Sequence, residues 1–306
     1  MMQLNKRILG ALCLTFLLLT LVACGSQEDT PPVSRGILYE VEGGNTGVYL
    51  FGSVHIGHED MYPLHDSVKE ALERSDVIGL EIDFSPMTEE QIALEMLEYG
   101  LLTDGRQMTD IISQELFDEI VEITSPLGVP GPVLNHFRPW YAGLILNEVL
   151  INNTRYSTEY GVENYLLTEY GDKETISLET FAHQFAPYQL LSNESQAIYL
   201  KDMLDEMEEA EEDLDEMIAH WREGDVEAFA ELREKILEEA ETESLKRFHE
   251  ASLDERDRQM AEVIAGILES DDERTYFITV GTLHLVGENS IVERLSQMGF
   301  EVRLVQ

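Results

Sequence analysis

The period of the hydrophobic positions changes along this chain, and each change marks an element. Val48–Phe51 is a β-branched and aromatic run with no polar face, the pattern of a strand buried on both sides. Gly52 is read as its end. Leu64, Val68, Ala71 and Leu72 then share one helical face within residues 64–75, where Ser67 and Glu70 form an S-x-x-E start signal. Val77–Ile82 is a second apolar strand, ending at Glu81 and Asp83. The same order returns after Arg274: a strand at Tyr276–Val280, a helix opened by Ser290 and Glu293 and closed by Met298-Gly299-Phe300, and a strand at Val302–Val305. Both stretches carry a glycine-hydroxyl-apolar-histidine turn, Gly52-Ser53-Val54-His55 and Gly281-Thr282-Leu283-His284. We read an internal repeat of a β-turn-α-β unit. Helical crossovers make the flanking strands parallel, which places both histidine turns at the carboxyl edge of the sheet, where ligands gather.

Between the repeats the pattern is mostly helical. Residues 87–102 and 113–123 space their apolar positions as helices do, and Pro126, Pro130 and Pro132 break the chain into a loop. Phe137-Arg138-Pro139-Trp140 opens a helix over 141–151, and Gly161–Leu166 starts the next. Thr175–Leu178 is a short strand, with Glu179 and Thr180 just past it. Residues 202–245 hold 19 acidic and three basic residues, broken at Gly224-Asp225. They predict two charged helices packed as a hairpin, either a solvated face or a lid for a cation or partner. An amphipathic helix follows over 252–268, with Arg256 and Arg258 near its start. The expected fold is α/β: a mixed central sheet built from the two repeated units, with a large helical insertion at about 87–270, all within one domain spanning 37–306.

The first 36 residues read differently. Lys6 and Arg7 precede an uncharged apolar run over 8–23, too short for a comfortable membrane span, which ends in Leu21-Val22-Ala23-Cys24-Gly25. That ending resembles a bacterial lipobox, with Cys24 as the lipidated first residue; a plain secretory signal or an uncleaved anchor are the alternatives. Cys13 lies inside the leader, so Cys24 alone would remain and no internal disulfide is expected. Residues 25–36 are polar with two prolines and read as a tether. The expected place is extracytoplasmic, on the membrane through the lipid.

Charge supports attachment by lipid alone. The chain has 61 acidic and 20 basic residues; loss of Lys6 and Arg7 with the leader leaves 18 basic residues and 43 net negative charges. Such a surface repels nucleic acid and anionic head groups, and it favours solubility.

The candidate chemistry lies in the repeat. His55 and His284 occupy matching positions, and Glu81 ends the strand that follows the first. Two imidazoles and a carboxylate are a catalytic metal set that leaves a position open for water, whose proton becomes acidic when bound. Glycine at the head of each turn suits a sharp backbone reversal. His58 is either a further ligand or an exposed loop residue. Asp83 either supports Glu81 or shapes the turn. Arg256 would steady an oxyanion or the Glu81 carboxylate, or form a surface ion pair. His65, His136, His183, His220 and His249 have no paired context. The chain lacks a serine elbow, a glycine-rich phosphate loop and H-E-x-x-H.

Taken together, Gly52–His55, Gly281–His284, Leu80-Glu81, Pro139-Trp140, Gly161-Val162-Glu163, Leu178-Glu179-Thr180, Gly224-Asp225 and Glu255-Arg256-Asp257 with Met260 resemble the TraB/GumN family over about residues 37–306. The chain departs from the family's usual pattern at Asp257, usually asparagine, and Glu163, usually aspartate. The family includes the pheromone-shutdown protein TraB and is similar to the Tiki proteins, metal-dependent proteases with two G-x-x-H motifs and a glutamate. The resemblance implies His55, Glu81 and His284 as the site. A wider similarity to erythromycin esterase-like and ChaN-like proteins implies a site at one edge of a mixed sheet surrounded by helices. The expected function is a surface-anchored metal-dependent hydrolase, a peptidase above all, acting on a peptide or protein. His55, Glu81 and His284 would hold the ion, with Glu81 as ligand or general base and Arg256 meeting developing negative charge. The Tiki similarity implies manganese or cobalt; the ligand types also suit zinc. Two alternatives stand beside it: a non-catalytic lipoprotein that binds a peptide or small signal in the same cleft, and a metal-free, esterase-like hydrolase using His55 and Glu81.

Overall fold

A computed structural model describes residues 33–207 and 209–305; the leader and Cys24 lie outside them. The chain enters through a strand the periodicity did not announce, β1 (Ile37–Glu42), which pairs antiparallel with β2 (Gly47–Ser53) from Ile37↔Gly52 to Val41↔Val48. Helix α1 (Asp66–Arg74) and strand β3 (Val77–Leu80) complete the first repeated unit. The second consists of β5 (Thr275–Gly281), α13 (Ile291–Gln297) and β6 (Glu301–Val305). One further strand, β4 (Glu174–Ser177), comes from the intervening segment.

The six strands form one mixed sheet in the order β4-β3-β5-β2-β1-β6. β2, β5, β3 and β4 run parallel to one another, and β1 is antiparallel to both β2 and β6. The two units interleave rather than sit side by side. β5 is inserted between β2 and β3, in register with β2 from Gly47↔Thr275 to Ser53↔Gly281. Both histidine turns therefore leave adjacent strands at the same edge. Burial fits this centre: every residue of β3 is buried, as are all but the two end residues of β5.

Two local expectations need correction. Gly52 does not end its strand: it stays in the ladder opposite Val280. Ser67 does not cap α1; His65 does, its Nδ1 accepting from the Ser67 backbone N–H at 3.2 Å while also meeting the Ser67 hydroxyl at 2.8 Å. An imidazole at this position serves as the oxygen of a serine or aspartate cap does. In the second unit Ser290 caps α13 as expected, accepting from Glu293 N–H.

The helical segment contains α2 (Glu89–Gly100), α3 (Gln114–Thr124), α4 (Gly131–Leu134), α5 (Pro139–Asn152), α6 (Val162–Glu169), α7 (Phe181–Phe185), α8 (Asn193–Glu206), α9 (Ala210–Glu223), α10 (Val226–Glu238), α11 (Glu243–Glu250) and α12 (Arg256–Leu268). Among the described residues none is long and apolar enough to cross a membrane. Phe51, Phe277, Trp221 and Ile264 belong to the core on the sheet. A second core gathers Phe117, Ile120, Leu146 and Leu200, and a third is aromatic around Trp140, Phe185 and Phe248.

The acidic segment is not two helices but the tail of α8 followed by α9 and α10. Gly224, with φ 71°, ends α9 in a left-handed cap, and Asp225 caps α10 by accepting from Ala228 N–H. Ile218, Trp221 and Phe229 face inward and join the main core, so these helices are anchored to the body through their apolar stripe. Between α11 and α12 the helix widens into a π turn at Ala251–Glu255, a feature that often re-aims side chains at working sites.

Candidate functional site

The site forms where β2, β5 and β3 end together. Gly281 is the last residue of β5, and its backbone N–H donates to Glu81 Oε1 at 2.7 Å. Glu81 follows β3 directly. A Cβ placed on Gly281 would lie 3.3 Å from Glu81 Oε1, 3.4 Å from His284 Cδ2 and 3.7 Å from His55 Nε2. The three residues singled out from the sequence thus converge over one Cα. Space, not backbone freedom, is why glycine stands there: Gly281 has φ −49°, open to any residue. Gly52 is likewise a point of close approach, where a Cβ would come 2.9 Å from Thr282 Oγ1. The turn-making reason expected for both glycines gives way to packing.

His284 closes a short 3-10 turn and is buried, with its side chain 7% exposed. Its Nδ1 lies 2.5 Å from Asp257 Oδ1, and its Nε2 is 3.7 Å from Glu81 Oε1. Asp257 comes from the first turn of α12 and is itself fully buried. His55 mirrors this arrangement at the rim. Its Nδ1 meets Glu163 Oε1 at 2.9 Å, from the first turn of α6, while its side chain is 64% exposed. The turn is held against α6 by Val162 N–H donating to the Val54 carbonyl at 3.0 Å. Gly161 allows the approach, since a Cβ there would stand 2.3 Å from the His55 carbonyl oxygen. In both histidines a carboxylate occupies Nδ1, which leaves Nε2 as the atom for chemistry.

The charges interlock around Glu81. Burial would raise its pKa, but His284, the Arg256 guanidinium, His55 and the Gly281 N–H together hold the carboxyl well below its ordinary value. Arg256 Nη2 donates to Glu81 Oε2 at 2.7 Å and to Glu179 Oε1 at 2.5 Å, and its Nε donates to both Glu179 oxygens. Burial alone would lower the arginine's pKa; Glu81 and Glu179 raise it instead. Gln184 of α7 adds a donor to Glu81 Oε2 at 3.3 Å. At the rim, the Glu163 carboxylate pushes the His55 imidazole up to about 9. Burial pushes Glu163 up, and His55 more than offsets it, leaving the carboxyl below its usual range.

The donor set suits a divalent ion by its chemistry: two imidazole Nε2 atoms freed by carboxylates on Nδ1, and a buried carboxylate kept ionised. As arranged, however, no three His, Cys, Asp or Glu side chains among the described residues are close enough to hold a metal ion.

Other candidates fall away from the site. His58 caps the short helix Glu59–Met61, its Nδ1 accepting from Asp60 N–H. Asp83 shapes its turn, accepting from Ser85 N–H and the Thr175 hydroxyl. His220 pairs with Asp225. Of the supporting residues, Glu163, Glu179 and Asp257 stand in the motifs of the sequence without a role that the motifs define. Glu179 has a readable signal, a carboxylate just past an apolar strand, like Glu81. Arg233 and Gln184 carry none. Arg233 is one of the three basic residues in the acidic segment, and its 1% exposure cannot be read from a run that looks solvated.

The TraB/PrgY/gumN family model matches residues 37–304, and the chain belongs to that family. It is 24% identical over 256 residues to the uncharacterized protein YbaP of Escherichia coli (strain K12), covering 82% of this chain and 89% of that protein, and has the same match to YbaP of Shigella flexneri. An uncharacterized protein of Treponema pallidum (strain Nichols) is 20% identical over 204 residues, 63% of this chain and 60% of that one. No solved structure matches the chain.

Proposed function

We propose that this chain is a lipid-anchored, extracytoplasmic, metal-dependent hydrolase that cleaves peptide bonds. The observation that carries the reading is the doubled imidazole–carboxylate pair. His55 on Glu163 and His284 on Asp257 each keep Nε2 for the space beside the buried Glu81.

His55 Nε2, His284 Nε2 and Glu81 would hold manganese, cobalt or zinc. When bound there, such an ion would supply Lewis-acid chemistry, making a water more acidic and polarising a carbonyl. Glu163 and Asp257 orient the imidazoles. Arg256 keeps Glu81 ionised and fixes it in place; its Nη1, in a 3.4 Å contact with the Ser252 carbonyl, is the donor we assign to developing negative charge. Cys24 would carry the lipid. The acidic surface favours neutral or basic peptides over acidic ones by long-range attraction.

A metal-free acid–base hydrolase is the second reading. It is favoured by the spacing of the described side chains, no three of which are close enough to hold an ion, and by the ion pairs that already balance Glu81. A peptide library incubated with the protein before and after chelation separates the two. Cleavage that stops with chelator and returns with one divalent ion supports the metal enzyme. Cleavage that persists supports the second reading, and intact ligand retained at one per chain means a binding protein.

A further inference from the structure

The acidic segment buries one cation against the site. Arg233 lies on α10 and is 1% exposed. Its Nη1 donates to Asp257 Oδ2 at 2.7 Å and to the Leu283 carbonyl at 2.6 Å, and its Nη2 donates to Asp254 Oδ1 at 2.7 Å. Asp257 turns its other oxygen, Oδ1, to His284 Nδ1 at 2.5 Å. Leu283 is the residue before His284. One guanidinium therefore grips both the histidine's side-chain partner and the backbone beside it.

A guanidinium only donates. The Asp257 oxygen it takes must accept, and an ionised carboxylate has no proton to offer His284 from the other, so His284 must carry its hydrogen on Nδ1. We propose that Arg233 is a positioning residue: it fixes the ring and tautomer of His284 through Asp257 and leaves the Nε2 lone pair turned toward Glu81. This rests on the reading of His284 as a donor in the site, and it gives the acidic helices a task as a buttress behind the site. A purely structural ion pair would hold α10 against α12 without dictating the tautomer.

The test uses substitutions at Asp257 and Arg233 in the full chain in detergent, labelled with 15N-histidine and free of metal. The His284 resonances are assigned by their loss in His284→Gln. In Asp257→Asn, Arg233 claims the new carbonyl oxygen, so the amide NH2 faces His284 and the hydrogen should move to Nε2. In Asp257→Asn/Arg233→Met, the amide is free to turn its oxygen back, and the hydrogen should return to Nδ1. The double variant leaves no uncompensated charge at Asp257, so it keeps the test open even if Arg233→Met alone does not fold. Titration with Mn2+ alone gives a second readout: affinity should fall about 10–100-fold in Asp257→Asn and recover in the double variant.

An Asp257→Asn protein that keeps Nδ1–H, or a double variant that stays Nε2–H, overturns the role of Arg233. Should the unsubstituted chain bind none of Mn2+, Co2+ and Zn2+, the metal-enzyme reading fails, and the tautomer pattern still decides for or against Arg233 by itself.

Discussion

A methyl group on Gly281 would sit 3.3–3.7 Å from Glu81, His284 and His55 at once, which makes Gly281→Ala a clean probe of whether those three residues share a ligand. The contact with Glu81 Oε1 is tight, those with the two histidines are ordinary van der Waals distances, and no backbone bond is lost, so the variant should fold with nearly unchanged denaturant midpoint while metal affinity falls because the added methyl takes space between the three side chains; calorimetric titration beside urea unfolding reads both. Gly52→Ala should do the reverse. Its Cβ would press on Thr282 Oγ1 at 2.9 Å, in the turn that follows β5, costing about 1–3 kcal/mol of stability. At His55 the effect of pH has a definite sign. Its proton is held up to about 9 by Glu163, and only the neutral ring ligates, so apparent metal affinity should rise with pH from 6.5 to about 9 and then level. Flat affinity over that interval would remove His55 from the ligand set.

At the scale of elements, the repeated strand-turn-helix-strand units are legible in the sequence because their strands are uniformly apolar and their turns share glycine and histidine. β1 is not: Ile37–Glu42 is a short run beside a tether, and its role depends on pairing with β2 and β6, a non-local fact. The interleaving of β5 between β2 and β3 is closed to the sequence for the same reason. Two residues of the candidate site, His55 and His284, are readable from the repeat, and Glu81 from its place at a strand end. Arg233 is hidden, because a helix that is acidic on its outer face conceals one inward arginine. The same helices carry a pH signature. Burial, with Glu209, Glu212 and Glu216 nearby, pushes Asp213 of α9 up to about 6. A raised carboxyl binds its proton more readily when folded, so stability is lost as pH rises from 3.8 through about 6 and regained as pH falls through that window. Asp213→Asn should raise the melting temperature at pH 7 and change it little at pH 4; an equal shift at both values would contradict a raised Asp213.

For the whole molecule, 61 acidic residues against 20 basic ones imply self-repulsion near neutrality. Acidification from pH 7 relieves it and protonates Asp213, whereas below about 4.5 the stability contributed by the Glu81 carboxyl, held low by His284 and Arg256 against the effect of burial, begins to fall because the unfolded chain takes up that proton first. Melting temperature should therefore peak between about pH 4.5 and 6, and rise with added salt at pH 7. A melting temperature that declines steadily from pH 7 to pH 5 would show that surface repulsion does not govern stability in that range. The central proposal is that His55, Glu81 and His284 would hold a divalent ion. The direct measurement is metal stoichiometry and affinity by elemental content and titration calorimetry, for the full chain and for a folded His55→Ala/His284→Ala variant. The expected result is near one ion per chain, lost in the variant; weak, diffuse binding that is the same in both proteins would contradict the claim.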